Sequence, residues 1–489
     1  MNQNIKFSHP EWATRYKKPG TELRFIRGCY YLYEYKTVYD QVRKKPKKIS
    51  GKLLGSITEK QGFISSSKRN LENTIHQKVF KQVKCKEYGV SLLITEKFDI
   101  YSKALKNTFG DLWTSIIAIA YCRLIYRCPL KSIPFRLEQS YLPQILGIKE
   151  FNEKKASFIL KTIGGYHEQR LAYMKSFIKK GEYMLMDMTN IFSNSKNISL
   201  SKKGYNNNLN FDPQFNLMYI YSVNSHIPVY YRLLPGNIRE VKAFKNCLIE
   251  SGLKRAIIIA DKGFYSKSNV DLLKEENLKF ILPLKRDNQI IPYQALINNT
   301  FQKKGNFFEH EKRPIWYQKY TIDGLPLFLF FDPALMVDEQ ADYLGRTKTH
   351  PESYTIEEYH KKRNRFGTIA LLSNLKTISA IDTYENYKSR NTIEVLFDGM
   401  KNVLEADHTY MQDEQTLQGW MFVNHIVMQW YQHLYIELKE KELLKKFSVN
   451  DYIQLLTDVK KISINDSWVL NEITSQTQKL IERTGFALK

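Results

Sequence analysis

The chain has 489 residues, 43% of them hydrophobic, with 74 Lys/Arg against 50 Asp/Glu and a formal net charge of +24. Such a length and apolar fraction allow a large buried core and about three domains, and they exclude a disordered or collagen-like chain. The charge calls for a polyanionic partner, and the five cysteines (Cys29, Cys85, Cys122, Cys128, Cys247) contain no CxxC pair, which argues against zinc and for a reducing compartment.

Residues 1–105 interleave aromatic and basic side chains. The first 110 residues hold 23 Lys/Arg and 9 Asp/Glu, so +14 of the +24 lies there. Met1–Lys18 is polar and does not read as a signal peptide. Phe25–Tyr35 and Lys52–Ile57 read as strands, with the basic run Arg43–Lys48 between them, which together predict a β-rich DNA-binding arm. Residues 106–178 read as a helical region, in which Leu112–Tyr126 is apolar almost all round and so is expected to be buried. The longest nearly apolar run, Leu112–Cys122, is too short to span a bilayer, so no membrane partner and a cytoplasmic location are expected. Phe158–Phe177 reads as an amphipathic helix.

From residue 179 to 287 the pattern becomes α/β. Tyr183–Met188, Leu217–Val223 and Val229–Leu234 read as strands, Val241–Glu250 as a helix, Ala256–Asp261 as a strand, Ser266–Glu275 as a helix and Phe280–Leu284 as a strand. Three strands followed by alternating helix and strand predict a mixed sheet flanked by helices. Residues 288–375 interrupt this as an inserted, mainly-β subdomain, with strands at Phe307–Tyr320, Leu325–Phe331 and Thr368–Leu372, a turn at Asp323-Gly324, and helices at Val337–Gly345 and Tyr354–Asn364. The core resumes over 376–410, and 411–489 reads as a C-terminal helical region with a buried helix at Gln418–Lys445.

Three acids stand out against this scaffold. Asp187 lies at the end of the first core strand, Asp261 ends the apolar run Ala256–Asp261, and Glu394 lies in the helix-like segment after the insertion. Carboxylates delivered by two strands and a helix supply the oxygen ligands that hard cations need, and a metal pair about 3.5–4 Å apart can run phosphodiester cleavage. At roughly 100° per residue, Tyr387, Arg390, Glu394 and Lys401 share one helical stripe about 60° wide and about 21 Å long. A solvated charged face is the bland account of such a stripe. The chemical account is a set of phosphate contacts flanking a metal ligand.

The spacing Tyr387-x2-Arg390-x3-Glu394-x6-Lys401 resembles the signature of a group of bacterial insertion-sequence transposases of the DDE class. Asp187 with Thr189 just after it, Asp261 after its apolar strand, and Pro235-Gly236-Asn237-x-x-Glu240 match further motifs in the same order over residues 180–430. The resemblance implies an α/β core of ribonuclease-H-like type carrying an insertion. It implies two Mg²⁺ ions, replaceable by Mn²⁺, held by Asp187, Asp261 and Glu394. It implies cut-and-paste transposition, with double-stranded DNA as partner (terminal inverted repeats and target) and a homodimer on that DNA. By the same resemblance Arg390 and Lys401 contact phosphates, Tyr387 positions the backbone, and an aromatic of the insertion, for which Trp316 is the candidate, stacks an extruded base. Lys262, next to Asp261, is a further candidate for a phosphate contact. The alternatives are a DNA-binding protein without catalysis and a metal-dependent nuclease without strand transfer.

Overall fold

In the computed structural model, residues 9–488 are described except 41–42, 67–82, 180, 205–211, 238–246, 248–249, 254–256, 305, 406–407 and 465–466. The chain divides into two units. The first comprises Met1–Cys85 with Lys461–Leu470, and the second Lys86–Lys460 with Asn471–Lys489.

The first unit is built on four strands, β1 (Thr21–Ile26), β2 (Cys29–Asp40), β3 (Lys45–Thr58) and β4 (Gly62–Ser65), paired antiparallel in sequence order. Its core is small: Ala13, Leu23, Leu32 and Ile57. The outer halves of β2 and β3, where Tyr35 to Asp40 pair with Ser50 to Lys45, continue past that core as a two-stranded ribbon exposed on most of its surface. Lys48 lies over the Tyr35 ring at 4.5 Å. The arm expected over residues 1–105 therefore ends earlier, at Cys85. Gly89–Lys97 and Asp99–Phe109 are helices instead, because Val90, Leu93, Ile94 and Leu105 are wholly buried in the large core of the second unit.

The second unit opens just after β5 (Lys84–Glu87) begins. Glu87 closes this strand and is buried. Its carboxylate accepts hydrogen bonds from the backbone N–H of Val90 at 2.6 Å, the Ser91 hydroxyl at 2.7 Å and the Tyr121 hydroxyl at 2.6 Å. Burial raises its pKa from 4.5 to about 7, against the pull of those donors. A carboxyl whose pKa is higher in the folded than in the unfolded state stabilises the fold fully below the unfolded value and loses that contribution as pH rises toward the folded value. We expect wild-type stability, relative to Glu87→Gln, to fall by on the order of 3 kcal/mol between pH 4.5 and pH 7 and to level off above it. Denaturant unfolding of both proteins across that range reads the difference, and parallel curves would contradict it.

The helical region is present. Helix α1 (Trp113–Tyr126) has Ile116 through Cys122 wholly buried, as its all-round apolar sequence requires. By length and composition the helical stretch Asp99–Tyr126 suffices to cross a membrane, but it breaks at Gly110–Leu112 and 61% of its most apolar window is buried inside the protein. The expected helix Phe158–Phe177 is two helices, Glu153–Gly165 and His167–Lys175.

Among the described residues the core is one ten-stranded mixed sheet. Its strands are β6 (Tyr183–Phe192), β7 (Lys202–Lys203), β8 (Pro213–Ser222), β9 (Ile227–Pro235), β10 (Ile257–Ile259), β11 (Lys279–Leu284), β12 (Asn306–His310), β13 (Arg313–Ile322), β14 (Leu325–Phe331) and β15 (Thr368–Ser373). The order is β12-β13-β14-β15-β11-β10-β6-β8-β7, with β9 on β8. Among the described residues the parallel pairs of this sheet are β6–β10 and β10–β11; helix α2 (Lys267–Glu275) makes the crossover from β10 to β11. The helix expected at Val241–Glu250, and Glu240, lie largely outside the described residues.

The insertion differs from its expected form. Its strands are not a separate subdomain: β15 pairs with the core strand β11, and β14, β13 and β12 extend the same sheet outward. The helices expected at Val337–Gly345 and Tyr354–Asn364 are present, as α3 (Pro333–Thr349) and the helix Ile356–Lys362. The turn at Asp323-Gly324 has positive φ at both residues, 47° and 75°, as a two-residue hairpin demands. The single strand expected over Phe307–Tyr320 is a hairpin, because Glu311 and Lys312 also adopt positive φ, 50° and 63°. Beyond the insertion come α4 (Ala380–Lys388), α5 (Asn391–Asp398) and the long buried helix α6 (Glu414–Glu440). The C-terminal region is not wholly helical, as Lys460–Ile464 and Ser467–Leu470 form a β-hairpin.

Candidate active site

Strand pairing brings the two aspartates level. In the parallel register of β6 and β10, Ile257 faces Tyr183 and Ile259 faces Leu185. Two residues further on, Asp261 stands just beyond the end of β10 and Asp187 lies on the neighbouring strand. Asp187 is not at a strand end, as expected, but mid-strand: β6 continues to Phe192, and Asp187 faces Tyr219 of β8. The longer strand follows from the β8 partner, which supplies backbone hydrogen bonds along its whole length.

The third acid arrives on α5, and one guanidinium collects all three. Arg390 Nη2 lies 3.2 Å from Asp187 Oδ2 and 3.4 Å from Asp261 Oδ1, while Nη1 lies 3.3 Å from Glu394 Oε1. The other Asp187 oxygen accepts the Met188 backbone N–H at 2.8 Å. Exposure rises across the set, with side-chain values of 12% for Asp187, 37% for Asp261 and 58% for Glu394. Burial pushes the Asp187 pKa up, Arg390 pulls it down, and the nearby Asp261 charge adds to the rise. Burial works against the Arg390 charge, yet Asp187 and Asp261 hold its pKa above the ordinary value.

Three carboxylates around one arginine leave a local charge of −2, and every donor is a hard oxygen. That donor chemistry fits a divalent cation. Among the described residues no group of three His, Cys, Asp or Glu side chains stands in ligating geometry. Arg390 occupies the point between the acids, so a cation binding there takes over the charge compensation that the guanidinium now provides.

The stripe read from the sequence is not one straight helix. Chain turns at Ser389 and Arg390 separate α4 from α5, and the amides of Arg390, Thr392 and Ile393 bond three residues back rather than four. A π turn follows at Gly399–Val403, which shifts Lys401 off the line through Arg390 and Glu394. It lets Met400 and Leu404 enter the core, both essentially buried. Gly399 packs closely there, since a Cβ would come to 3.0 Å from the Tyr431 ring of α6. Arg123 of α1, itself buried, donates to the carbonyls of Leu404 and Glu405 and to Asn424 of α6, which anchors the end of this segment. The contact that matters survives the irregularity: Arg390 and Glu394 remain neighbours at i,i+4.

The remaining candidates separate. Tyr387 is only 7% exposed, so it is a wall residue more than a surface contact. Lys262 is exposed and its side chain lines a cavity beside Arg390. Lys401 is half-buried within the π turn. Trp316 lies on β13 of the insertion, half-buried, with its ring 5.1 Å from that of Phe307 on β12 and its backbone opposite Phe331 of β14. Sequence reading passed over Arg286, Glu339 and Lys388, which line the same cavity as Lys262. Lys388 had a signal, being next to Tyr387; Arg286 and Glu339 had none.

Comparison with known proteins gives three findings. A family model described as a transposase DDE domain matches residues 184–430, a span that includes all three acids. No curated protein matches. Among solved structures the chain is similar to one described as a cryo-EM structure of piggyBac transposase synaptic complex with hairpin DNA, at 12% identity, covering 73% of this chain and 70% of that chain, with a TM-score of 0.37.

Proposed function

The chain belongs to the transposase DDE domain family, and from that premise we propose that it cuts DNA at the ends of a mobile element and joins the freed 3′-OH ends to target DNA, in the manner of a bacterial insertion-sequence transposase. The observation that carries the proposal is the convergence of Asp187, Asp261 and Glu394, from three distant parts of the chain, on one arginine. A catalytic core of ribonuclease-H-like type agrees with a mixed sheet that carries one acid on β6, one just past the end of its parallel neighbour β10, and one on a following helix.

Two Mg²⁺ ions, with Mn²⁺ as a substitute, held by Asp187, Asp261 and Glu394 would supply activation of water or a 3′-OH and stabilise the leaving oxygen. The protein's own contribution is placement. The buried Asp187 is fixed by β6 and by the Met188 amide, whereas the exposed Glu394 stands on the solvent side where a DNA strand can approach. Arg390 holds the carboxylates together and, once its charge is no longer needed there, can grip a phosphate with two nitrogens. Lys401 and Lys262 are assigned phosphate contacts and Tyr387 a supporting wall. Trp316 with Phe307, which is 62% exposed, offers an aromatic face for an unpaired base, and stacking of this kind is worth about 1–3 kcal/mol. A homodimer on double-stranded DNA is part of the proposal, because two element ends must be handled.

The test is a joining assay. Purified protein, Mg²⁺ and a plasmid carrying the gene with its flanking DNA should give excised element and joined products. Cleavage without joining would mark a nuclease, and binding without cleavage a DNA-binding protein that lacks catalysis.

The lysine-rich ribbon of β2 and β3 is assigned to the DNA backbone. Its exposed strands carry Lys36, Lys45, Lys47 and Lys48, and a two-stranded ribbon is narrow enough to enter a DNA groove. Replacing Lys44, Lys45, Lys47 and Lys48 together by glutamine in the full chain should flatten the plot of log affinity against log salt by about 0.9 for each phosphate that is no longer neutralised. An unaltered slope would place the DNA surface elsewhere.

A further inference from the structure

Beside Arg390 a cavity of about 180 Å³ is bounded by Lys262, Arg286, Glu339, Tyr387, Lys388 and Arg390. Arg390 is already paired with the three acids; the other three cations, Lys262, Arg286 and Lys388, face one carboxylate, Glu339, which leaves the cavity a net charge of +2. We propose that this cavity binds a phosphodiester of a DNA strand, next to the phosphate that is presented to the three acids. The inference rests on the transposase reading above and extends it to residues of the insertion.

The cavity is built rather than incidental. Arg286 donates from Nε to the Thr368 carbonyl at 3.0 Å and from Nη2 to Glu339 Oε1 at 2.9 Å. The other Glu339 oxygen accepts the Gly367 backbone N–H at 2.7 Å. Gly367 has a φ of +68°, and a Cβ there would come within 2.4 Å of the Asp332 carbonyl, so the turn that fixes Glu339 needs glycine. Arg286 is thereby immobilised with one carboxylate as partner, while Lys262 and Lys388 have no ion pair among the described residues. Lys388 lies over the Tyr384 ring at 5.4 Å. Burial lowers the pKa of Lys388, and Arg313 lowers it further. Crowded cations that depress one another are relieved by an anion, and low-dielectric walls strengthen its attraction.

The ligand class follows from size and from place. The volume exceeds that of several waters at about 30 Å³ each, which leaves room for a phosphate group. Arg390 is common to the cavity wall and to the cluster of acids, so an anion seated in the cavity lies immediately beside the reaction centre. A strand running past the acids brings its neighbouring phosphate to that position, and helix α3 of the insertion, through Glu339, sets the far wall.

The experiment uses the full-length protein with EDTA present, so that no metal bridges protein and probe. Inorganic pyrophosphate is titrated by calorimetry, and a labelled 30-base-pair duplex by fluorescence anisotropy. Wild type should bind pyrophosphate at one site, and pyrophosphate should compete with the duplex. Lys388→Gln and Lys262→Gln should each weaken both ligands by about tenfold. Glu339→Gln should tighten both by several-fold, since it removes the one negative charge while its amide oxygen can still accept the Gly367 N–H. A merely structural role for Glu339 gives the opposite sign. Wild-type binding of both probes by all three variants overturns the assignment. Loss of pyrophosphate binding with unchanged duplex binding also overturns it, in favour of a free-anion site. Neither outcome touches the transposase reading, which stands or falls on metal-dependent cleavage and its loss in Glu394→Gln.

Discussion

Replacing Glu394 by glutamine is expected to abolish metal-dependent DNA cleavage while leaving the fold and DNA binding intact. Glutamine keeps the shape but removes the charge that a divalent cation requires of its ligand. Groups that only support metal ligands commonly cost 10- to 100-fold when altered, so loss of a ligand itself should reduce cleavage by at least about a hundredfold. Stability should hardly change. Glu394 is 58% exposed, and its partner Arg390 keeps contacts to Asp187 and Asp261; an exposed ion pair of this kind is worth about 0–1 kcal/mol. Removing one negative charge also does not weaken attraction to DNA. Cleavage rate in Mg²⁺, duplex affinity and thermal midpoint, measured side by side, separate these effects. Cleavage at the wild-type rate would remove Glu394 from the metal site.

The largest expected effect on stability comes from a methyl group. At Gly419 of α6 an added Cβ would lie 1.9 Å from the Leu160 carbonyl oxygen, and at Gly164 it would lie 1.7 Å from the Gln415 carbonyl oxygen. Both obstacles are backbone, so no side chain can step aside. The Glu153–Gly165 helix and α6 cross with their main chains in contact, and each glycine is the reason the other helix can come so close. Gly419→Ala must push the two helices apart along their shared buried face, where Leu160, Ile163 and Leu417 are wholly buried. Overpacking of a core by a small group costs about 1–3 kcal/mol, and a rigid backbone obstacle belongs at or above the top of that range. The variant should unfold several degrees below wild type. A midpoint equal to wild type would show that the crossing has slack. Because α6 also receives the Arg123 anchor near the end of the Glu394 segment, a displaced α6 should lower cleavage in any protein that still folds.

Much of the site was legible because its chemistry demands particular residue types in local patterns. An apolar run ending in an acid marks Asp261, and the Tyr-Arg-Glu-Lys spacing marks Glu394 and Arg390 with no knowledge of the fold. A mixed sheet was legible from strand-like and helix-like periods in alternation. Where the local pattern was silent the reading failed. Nothing in Glu311-Lys312 announces a hairpin, since neither residue favours positive φ, and only pairing of β12 with β13 makes the turn. The extent of β6 past Asp187 depends on β8 as a partner. The straight helix assumed through Tyr387, Arg390, Glu394 and Lys401 was a property of an isolated helix, whereas packing of Gly399 against Tyr431 and burial of Met400 and Leu404 impose a π turn.

By itself, then, the sequence determined which residues could bind metal and phosphate, because carboxylate, guanidinium and ammonium chemistry belongs to the side chain and goes wherever it goes. It also determined that a large core would form around strands and helices, through the periods of its apolar residues. Only the tertiary structure decided that one arginine would join the three acids, that Asp187 would stand mid-strand level with Asp261, and that Arg286, Glu339 and Lys388 would enclose a basic cavity beside them. These are matters of register and crossing between segments far apart in the chain. They are set by backbone hydrogen bonds between strands and by close packing at the glycine crossing, and neither leaves a mark in any short stretch of sequence.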